Sequence, residues 1–435
     1  MNSGVEESIS RRTFLKQVST GAAVALAAPA SGVLGANERL TLGLIGCGNM
    51  GNAHLRAFPD AHLAYVCDPD QQRCQKAKEK SGATHAVSDL RRILDDKSVD
   101  AVVIATCDHW HAPAAIMACE AGKHVYVEKP CSHNFREGRL LLEAARRHNR
   151  VVQVGTQYRS HPLINKAIQL IREGLIGDVL VARAWNVELR RDIGKMQPSE
   201  PPPGVDYDMW VGPAEFVPFQ RNRFHYEWHW WYNFGTGSMG NSGSHDMDYA
   251  RWGLGVEGHP SRVCGLGGKY FFDDDQEFED TSTVVFEWPG DGKVGSKRQL
   301  IYEIRIWSNN FPYGCDMAAE FFGTQGTIMV SLRGKIQILD AKNQLLDVEP
   351  KNPRQIITNH RADFVDAVRT GRRPNADIED GFLSGTLCHL GNICMRVGRT
   401  LQFDPQNEQI IGDKEANNLL GRNYRKNHWA IPQGV

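Results

Sequence analysis

The sequence predicts an α/β protein in two parts. A doubly wound parallel sheet occupies the first half, and an α/β region with a largely antiparallel open sheet follows. Three observations predict it. From Leu40 to Val154, short apolar runs of strand length alternate with helical segments. The first run stops at a glycine-rich turn, Gly46-Cys-Gly-Asn-Met-Gly51. Beyond Tyr158 the texture changes to alternating strand-like runs separated by Pro-rich and aromatic loops.

The elements follow in order. Leu40 to Ile45 reads as a buried strand and Asn52 to Phe58 as a short helix. His62 to Cys67 is a second strand, ended by Asp68, and Gln71 to Lys80 is a polar helix. Ala101 to Ala105 is a buried strand, Ala112 to Ala121 a helix closed by Gly122, and His124 to Val127 a further strand. Phe135 to His148 is helical, and Val151 to Val154 is a strand. In the second half, Pro162 to Glu173 has amphipathic helical spacing and stops at Gly174. Strand patterns then recur at Val179 to Trp185, Thr281 to Trp288, Gln299 to Trp307, Gly326 to Ser331 and Lys335 to Leu339. Helices over Ile357 to Thr370 and Gly381 to Val397 close the fold. The expected boundaries are 1–36 for a leader, 37–158 for the first domain, 159–400 for the second, and 401–435 for a C-terminal tail.

The 435 residues carry 50 Lys plus Arg against 51 Asp plus Glu, a formal net charge of -1. That balance, with only short single-sign runs, argues against a nucleic-acid binder. With 41% hydrophobic and 23% charged residues the chain has the composition of a folded globular protein. No apolar run reaches the length of about 18 residues that spans a bilayer. The N-terminus reads as an address. Ser10-Arg-Arg-Thr-Phe-Leu-Lys16 matches a twin-arginine signal, followed by a weakly apolar stretch and an Ala28-Pro-Ala30 cleavage pattern. Its partner is the twin-arginine export machinery, and the expected location is periplasmic or extracytoplasmic. The ten cysteines show no CxxC pair and no metal-finger spacing, so they are expected free and mostly buried.

Gly46-x-Gly48-x-x-Gly51 lies between a strand and a helix, the context of a Rossmann dinucleotide site. The first glycine permits the turn, the second admits a pyrophosphate close to the backbone, and the third lets helix pack on strand. Asn49 and Met50 complete the loop. Asp68 stands 17 residues beyond Gly51, where a carboxylate accepts from the adenosine ribose. It is followed by Pro69 and not by an arginine, which favours NAD over NADP.

Further motifs make the chain recognisable. With the glycine loop, Ala105-Thr-Cys-Asp-His-Trp-His-Ala-Pro113 and Gly122-Lys-His-Val-Tyr-Val-Glu-Lys-Pro130, it closely resembles the Gfo/Idh/MocA oxidoreductase family. Gly174-x-x-Gly177-x-Val179 and Gly237-x-x-x-Asn241-x-Gly243-x-His245-x-x-Asp248 extend the match over roughly residues 38 to 400. The resemblance implies an N-terminal nicotinamide-binding domain, a C-terminal α/β domain whose open sheet often mediates homo-oligomer contacts, and a pyranose or cyclitol substrate.

Carried over residue by residue, Lys129 matches the lysine that hydrogen-bonds the reacting hydroxyl. His245 matches the histidine that takes its proton. Thr106, His109, His111 and Glu128 fall in the segments that line the cofactor. Many family dehydrogenases carry Asp where this chain has Asn241, which supplies no charge to raise the basicity of His245 but can bind a sugar hydroxyl. Tyr158 and Arg159 are expected in the same cleft. Tyr226 and Trp228, in the aromatic run Phe224 to Tyr232, suit stacking on a sugar ring. His225 with His229, and His109 with His111, lack companion carboxylates, so no metal is expected.

Address and cofactor together constrain the mechanism, because nicotinamide cofactor is not freely supplied outside the cytoplasm. It must be loaded before export and regenerated in place. The expectation is an NAD-dependent oxidoreductase acting on a hydroxyl of a sugar, cyclitol or glycoside with tightly bound cofactor. A second carbonyl compound then reoxidises the cofactor. Two alternatives stay open at this point. One is a redox-neutral, NAD-dependent glycoside hydrolase using Tyr158, Tyr226 or Tyr232 as a base. The other is a non-catalytic sugar sensor.

Overall fold

The computed structural model describes residues 39–351 and 359–435, so the twin-arginine segment lies outside the described residues. Six strands form the first sheet: β1 (Leu40–Ile45), β2 (Ala61–Cys67), β3 (His85–Val87), β4 (Ala101–Ile104), β5 (His124–Val127) and β6 (Val152–Val154). Their order is β3-β2-β1-β4-β5-β6, and every pair is parallel. The order reverses beside β1, so the crevice for a ligand opens at the C-terminal ends of β1 and β4. Register aligns those ends, with Ile45 opposite Ile104 and Ile104 opposite Val127. β4 is buried at every residue, as a strand covered on both faces must be.

The connecting helices are α1 (Asn49–His54), α2 (Gln71–Ser81), α3 (Asp108–Glu120) and α4 (Phe135–Arg147). α2 is capped by Asp70, whose side chain accepts from the Gln72 and Arg73 N–H groups, and it ends at Gly82 in the left-handed region. α1 begins inside the glycine motif, three residues before the sequence pattern places it. α3 begins four residues earlier than its apolar run, with Pro113 inside it. Proline donates no N–H to the carbonyl four residues back, and here the His109 carbonyl accepts from Arg422 Nη2 instead (2.8 Å).

The second sheet has nine strands. β7 (Val179–Val187), β8 (Arg262–Gly268), β9 (Thr281–Trp288), β10 (Arg298–Arg305), β11 (Met317–Gly323), β12 (Gly326–Ser331) and β13 (Lys335–Asp340) are joined by β14 (Leu401–Asp404) and β15 (Gln409–Ile410). Their order is β13-β12-β11-β7-β10-β9-β8-β14-β15, antiparallel except for β7 against β10. β8 escapes sequence reading because three of its seven residues are glycine. A Cβ on Gly265 would lie 2.3 Å from the Thr283 carbonyl oxygen, so the neighbouring strand lies too close for a side chain there.

Three helices cover one face of this sheet: α5 (Pro162–Arg172), α7 (Gly243–Leu254) and α9 (Ile378–Val397); α6 (Gly237–Asn241) packs on α7 and α9, and α8 (His360–Thr370) packs at the first sheet. Residues 401–435, expected as a tail, instead add β14 and β15 and return to the first sheet. There Arg422 and Tyr424 both donate to Glu137 Oε1 of α4 at 2.8 Å. The ten cysteines are all free, eight of them buried. No helix among the described residues is long and apolar enough to cross a membrane.

Candidate active site

A cavity of about 390 Å³ opens where β1, β4 and β5 end, lined from below by the glycine turn and from above by the second half of the chain. The turn is built as the motif requires. Gly46 has φ +94°, and a Cβ on Gly51 would fall 1.9 Å from the Gly46 carbonyl oxygen. Gly48, by contrast, faces open space, with only the tip of Arg73 within reach (3.5 Å). Gly46, Gly48, Asn49 and Met50 all border the cavity. These are the features a pyrophosphate cradle needs, so the loop fits a dinucleotide.

Asp68 also lines the cavity and braces the turn. Its Oδ2 accepts from the Cys47 N–H (2.7 Å) and its Oδ1 from the Asp70 N–H (2.9 Å). Burial raises its pKa against those two bonds. Although no arginine adjoins Asp68 in sequence, Arg73 comes to the same cavity from the first turn of α2. Asp70, Arg73 and His225 were invisible to motif reading because none belongs to the glycine fingerprint.

At the other end stands Lys129, joined to Pro130 by a cis peptide bond. Its Nζ donates to the backbone carbonyl and to the side-chain Oδ1 of Asn241, each at 2.8 Å. Burial lowers its pKa, while Glu128 and Asp108 pull it up. Asn241, expected to bind a sugar hydroxyl, borders the cavity and holds Lys129. His245 follows in the first turn of α7, with its ring packed on Tyr158 (4.3 Å between centroids) and its Nδ1 buried without a partner. Burial, and then the charge of Lys129, lower its pKa to about 3, so the imidazole is neutral at ordinary pH.

Glu128 lines the cavity and buttresses Lys129 from behind. Arg361 Nε donates to His54 Nδ1 (3.0 Å), which places the imidazole proton on Nε2 facing Glu128 Oε1 (2.9 Å). Gln157 Nε2 donates to the same oxygen (3.1 Å). Burial opposes the charge of Glu128, yet the bond from His54 and the charges around it hold its pKa at about 2.

The structure separates the remaining predicted residues. Thr106 and His111 border the cavity, with His111 Nδ1 2.6 Å from the Pro130 carbonyl oxygen. His109 does not. It is fully buried between Trp210 and Phe234, with Nε2 3.1 Å from the Trp210 carbonyl oxygen. Tyr226 and Trp228 line the cavity, Tyr226 Oη accepting from Arg190 Nη1 (2.6 Å) and Trp228 stacked on His229 (3.6 Å).

Arg159 is no substrate contact. It is 5% exposed, bidentate to Asp248 (2.7 and 2.9 Å) and paired with Asp380 (3.0 Å), so its donors are spent inside the fold. Tyr158 packs its ring on His245, and neither residue borders the cavity.

One carboxyl was overlooked. Asp108 lines the cavity, accepts from Thr236 Oγ1 (2.6 Å), and burial raises its pKa to about 7. Its place after Thr106 and Cys107 at the end of β4 was the available signal.

A doubly wound sheet, a glycine cradle at its switch point and a buried lysine facing the same cleft define a dinucleotide-binding oxidoreductase. Comparison with known proteins gives the particular family. The NAD-binding Rossmann fold of the Gfo/Idh/MocA oxidoreductases matches residues 40–156, and the family's C-terminal alpha/beta domain matches residues 179–264 and 310–431. The chain belongs to the Gfo/Idh/MocA oxidoreductase family, and its first sheet is an NAD-binding domain. Among curated proteins it is 27% identical to inositol 2-dehydrogenase 2 of Saccharopolyspora erythraea, over 80% of this chain and 91% of that one. It is 26% identical to the scyllo-inositol 2-dehydrogenase (NAD(+)) of Bacillus subtilis, over 83% and 95%. In fold it resembles levoglucosan dehydrogenase complexed with NADH, with a TM-score of 0.64 and 21% identity over 83% of this chain and 98% of that one.

Proposed function

We propose that the protein is an NAD-dependent oxidoreductase that oxidises a ring hydroxyl of a sugar or cyclitol, with its cofactor held in place. The observation that carries this is the juxtaposition of Lys129, fixed by two bonds it donates to Asn241, with the glycine cradle in one cavity. The full-length relatives that oxidise inositols support the substrate class. Bound NAD supplies the acceptor for the hydride leaving the substrate carbon.

The protein's own groups manage the charge and the proton. The Lys129 ammonium donates to the substrate oxygen and favours its alkoxide, and its lowered pKa makes it a ready donor. His245 is kept neutral by burial, the form that can accept the hydroxyl proton, and the same burial makes it a weak base. Asp108, titrating near neutrality in the same cavity, holds or releases a proton within reach of bulk pH. Trp228 and Tyr226 offer an aromatic wall to the sugar. A glycosidase route would need a tyrosine base. Tyr158 and Tyr232 are instead pushed up by burial, Tyr232 to about 12, and Tyr226 accepts from Arg190.

The test is turnover of purified protein with a cyclitol and pyranose panel. Lys129→Ala and His245→Ala are each expected to lose about 10²–10⁴-fold in rate while retaining NAD. Wild-type rates in either variant would remove these roles.

We read the molecule as exported by the twin-arginine route, working as a homo-oligomer, with a second carbonyl compound reoxidising the cofactor in place. The Ser10–Lys16 motif supports the route. Replacing Arg11 and Arg12 by lysine is expected to retain the protein in the cytoplasm. Unchanged fractionation would contradict the route.

A further inference from the structure

The roof of the cavity over β2 is tied down in a way the parallel sheet does not require. Beyond Pro203 the chain of the second half lies along the turn between β2 and α2 and pairs with it main chain to main chain. The Gln71 N–H donates to the Gly204 carbonyl (3.0 Å), the Asp206 N–H donates to the Pro69 carbonyl (2.9 Å), and Asp70 and Val205 form an antiparallel bridge. A little further on, the indole N–H of Trp110 donates to the Trp210 carbonyl (3.0 Å). His225 Nε2 then comes within 3.7 Å of Asp70 Oδ2. The same segment supplies Trp210, Phe224 and His225 to the cavity, directly opposite Asp68, Asp70 and Arg73.

Asp68 marks the adenosine end of a dinucleotide in this fold. Residues 204–225 therefore cross that end and are fastened on its far side. A ligand lying against Asp68 beneath them is covered on that side by a segment these bonds hold down, and none of the bonds touches the reacting end at Lys129.

We propose that residues 204–225 are a strap over the adenosine end, whose opening gates both release and entry of NAD and makes the cofactor resident. The inference rests on the cleft being the NAD site, and it adds what holds NAD there. Asp70, Gln71, Asp206 and His225 are then cofactor-retaining positions that act through the strap. Their signature is kinetic: loosening a gate speeds traffic in both directions, whereas losing a direct contact speeds release alone.

Gln71→Pro is the cleanest probe. Gln71 is the first residue of α2, where proline is tolerated, and Asp70 before it is extended (φ -88°, ψ 105°), as a residue preceding proline prefers. The cap bonds of Asp70 go to Gln72 and Arg73 and survive, so the substitution removes the N–H given to Gly204 and the Gln71 amide lying beside it, both on the strap. His225→Ala is the second probe, removing the side chain opposite Asp70 without touching the backbone pairing. Nicotinamide fluorescence follows release by chasing bound NADH with excess NAD, and entry by mixing NADH with cofactor-stripped protein. Each variant is expected to accelerate both steps, release by about tenfold, with a smaller change in Kd. Unchanged rates, or faster release with unchanged entry, would overturn the strap. Failure of every form to bind NADH would overturn the NAD reading itself, and the strap with it.

Discussion

The floor and the roof of the cavity are built by opposite means. The floor consists of strand ends: the turn after β1, Thr106 to Asp108 with Trp110 and His111 after β4, and Glu128 and Lys129 after β5, held in line by the ladder that sets Ile45, Ile104 and Val127 side by side. The roof is mostly irregular chain between Pro198 and Trp231, held by packed rings such as Trp210 on Phe224 and Phe234 and by bonds to distant segments. A parallel sheet delivers chemistry to a fixed place with a few residues at fixed spacing. A loop roof delivers shape, and its contacts depend on residues more than a hundred positions apart. The difference teaches that the redox half of the site belongs to the fold, whereas substrate choice and cofactor retention belong to this chain.

The largest effect is expected where a residue serves neither surface. Arg159→Ala strips buried Asp248 of its bidentate partner and leaves it the Ser384 hydroxyl, while Arg251 still pairs with Asp380; breaking such a buried pair costs about 3–5 kcal/mol. Urea unfolding would register the loss. A rise in KM with stability intact would return Arg159 to the substrate wall.

Next comes a pair within the floor. Gly51→Ala drives a methyl into the Gly46 carbonyl and should cost about 1–3 kcal/mol, seen as a lower Tm. Gly48→Ala meets only the Arg73 tip, so stability should change by less than about 0.5 kcal/mol while NADH binding weakens. Equal Tm losses would mean that Gly48 does not face the cofactor.

The smallest effect joins floor to roof. Asn241→Asp places a carboxylate on Lys129 Nζ and stabilises the ammonium, raising its pKa. Activity that needs the ammonium is lost as pH rises through that pKa, so the basic limb of the pH–rate profile should move to higher pH. A shift of the acidic limb alone would mean that Asn241 acts on His245 after all.

How much was legible follows the same division. The glycine turn and Asp68 were readable because spacing along one strand–turn–helix unit encodes them, the two sheet types because the pattern of runs changes after Tyr158, and Lys129 through the resemblance to the Gfo/Idh/MocA family. His109 and His111 could not both face the cleft, since residues two apart on a helix point to nearly opposite sides. That constraint was available in the sequence once Asp108 rather than Ala112 was seen to open α3. Arg159 was placed correctly in the chain beside Tyr158, but its partner Asp248 lies 89 residues away, and no local pattern announces it. Asp70, Arg73 and the bonds to Gly204 and Asp206 belong to the same long-range class.

The central claim is that one cavity joins a resident NAD to a hydroxyl-oxidising lysine. It is tested most directly by adding cyclitols and pyranoses to purified protein carrying bound NAD and reading the fluorescence of reduced nicotinamide. The account predicts a rise for at least one member of the panel in the wild type and none in Lys129→Ala, with NAD still bound in both. An equal rise in Lys129→Ala, or no rise in NAD-loaded wild type across the whole panel, would contradict it.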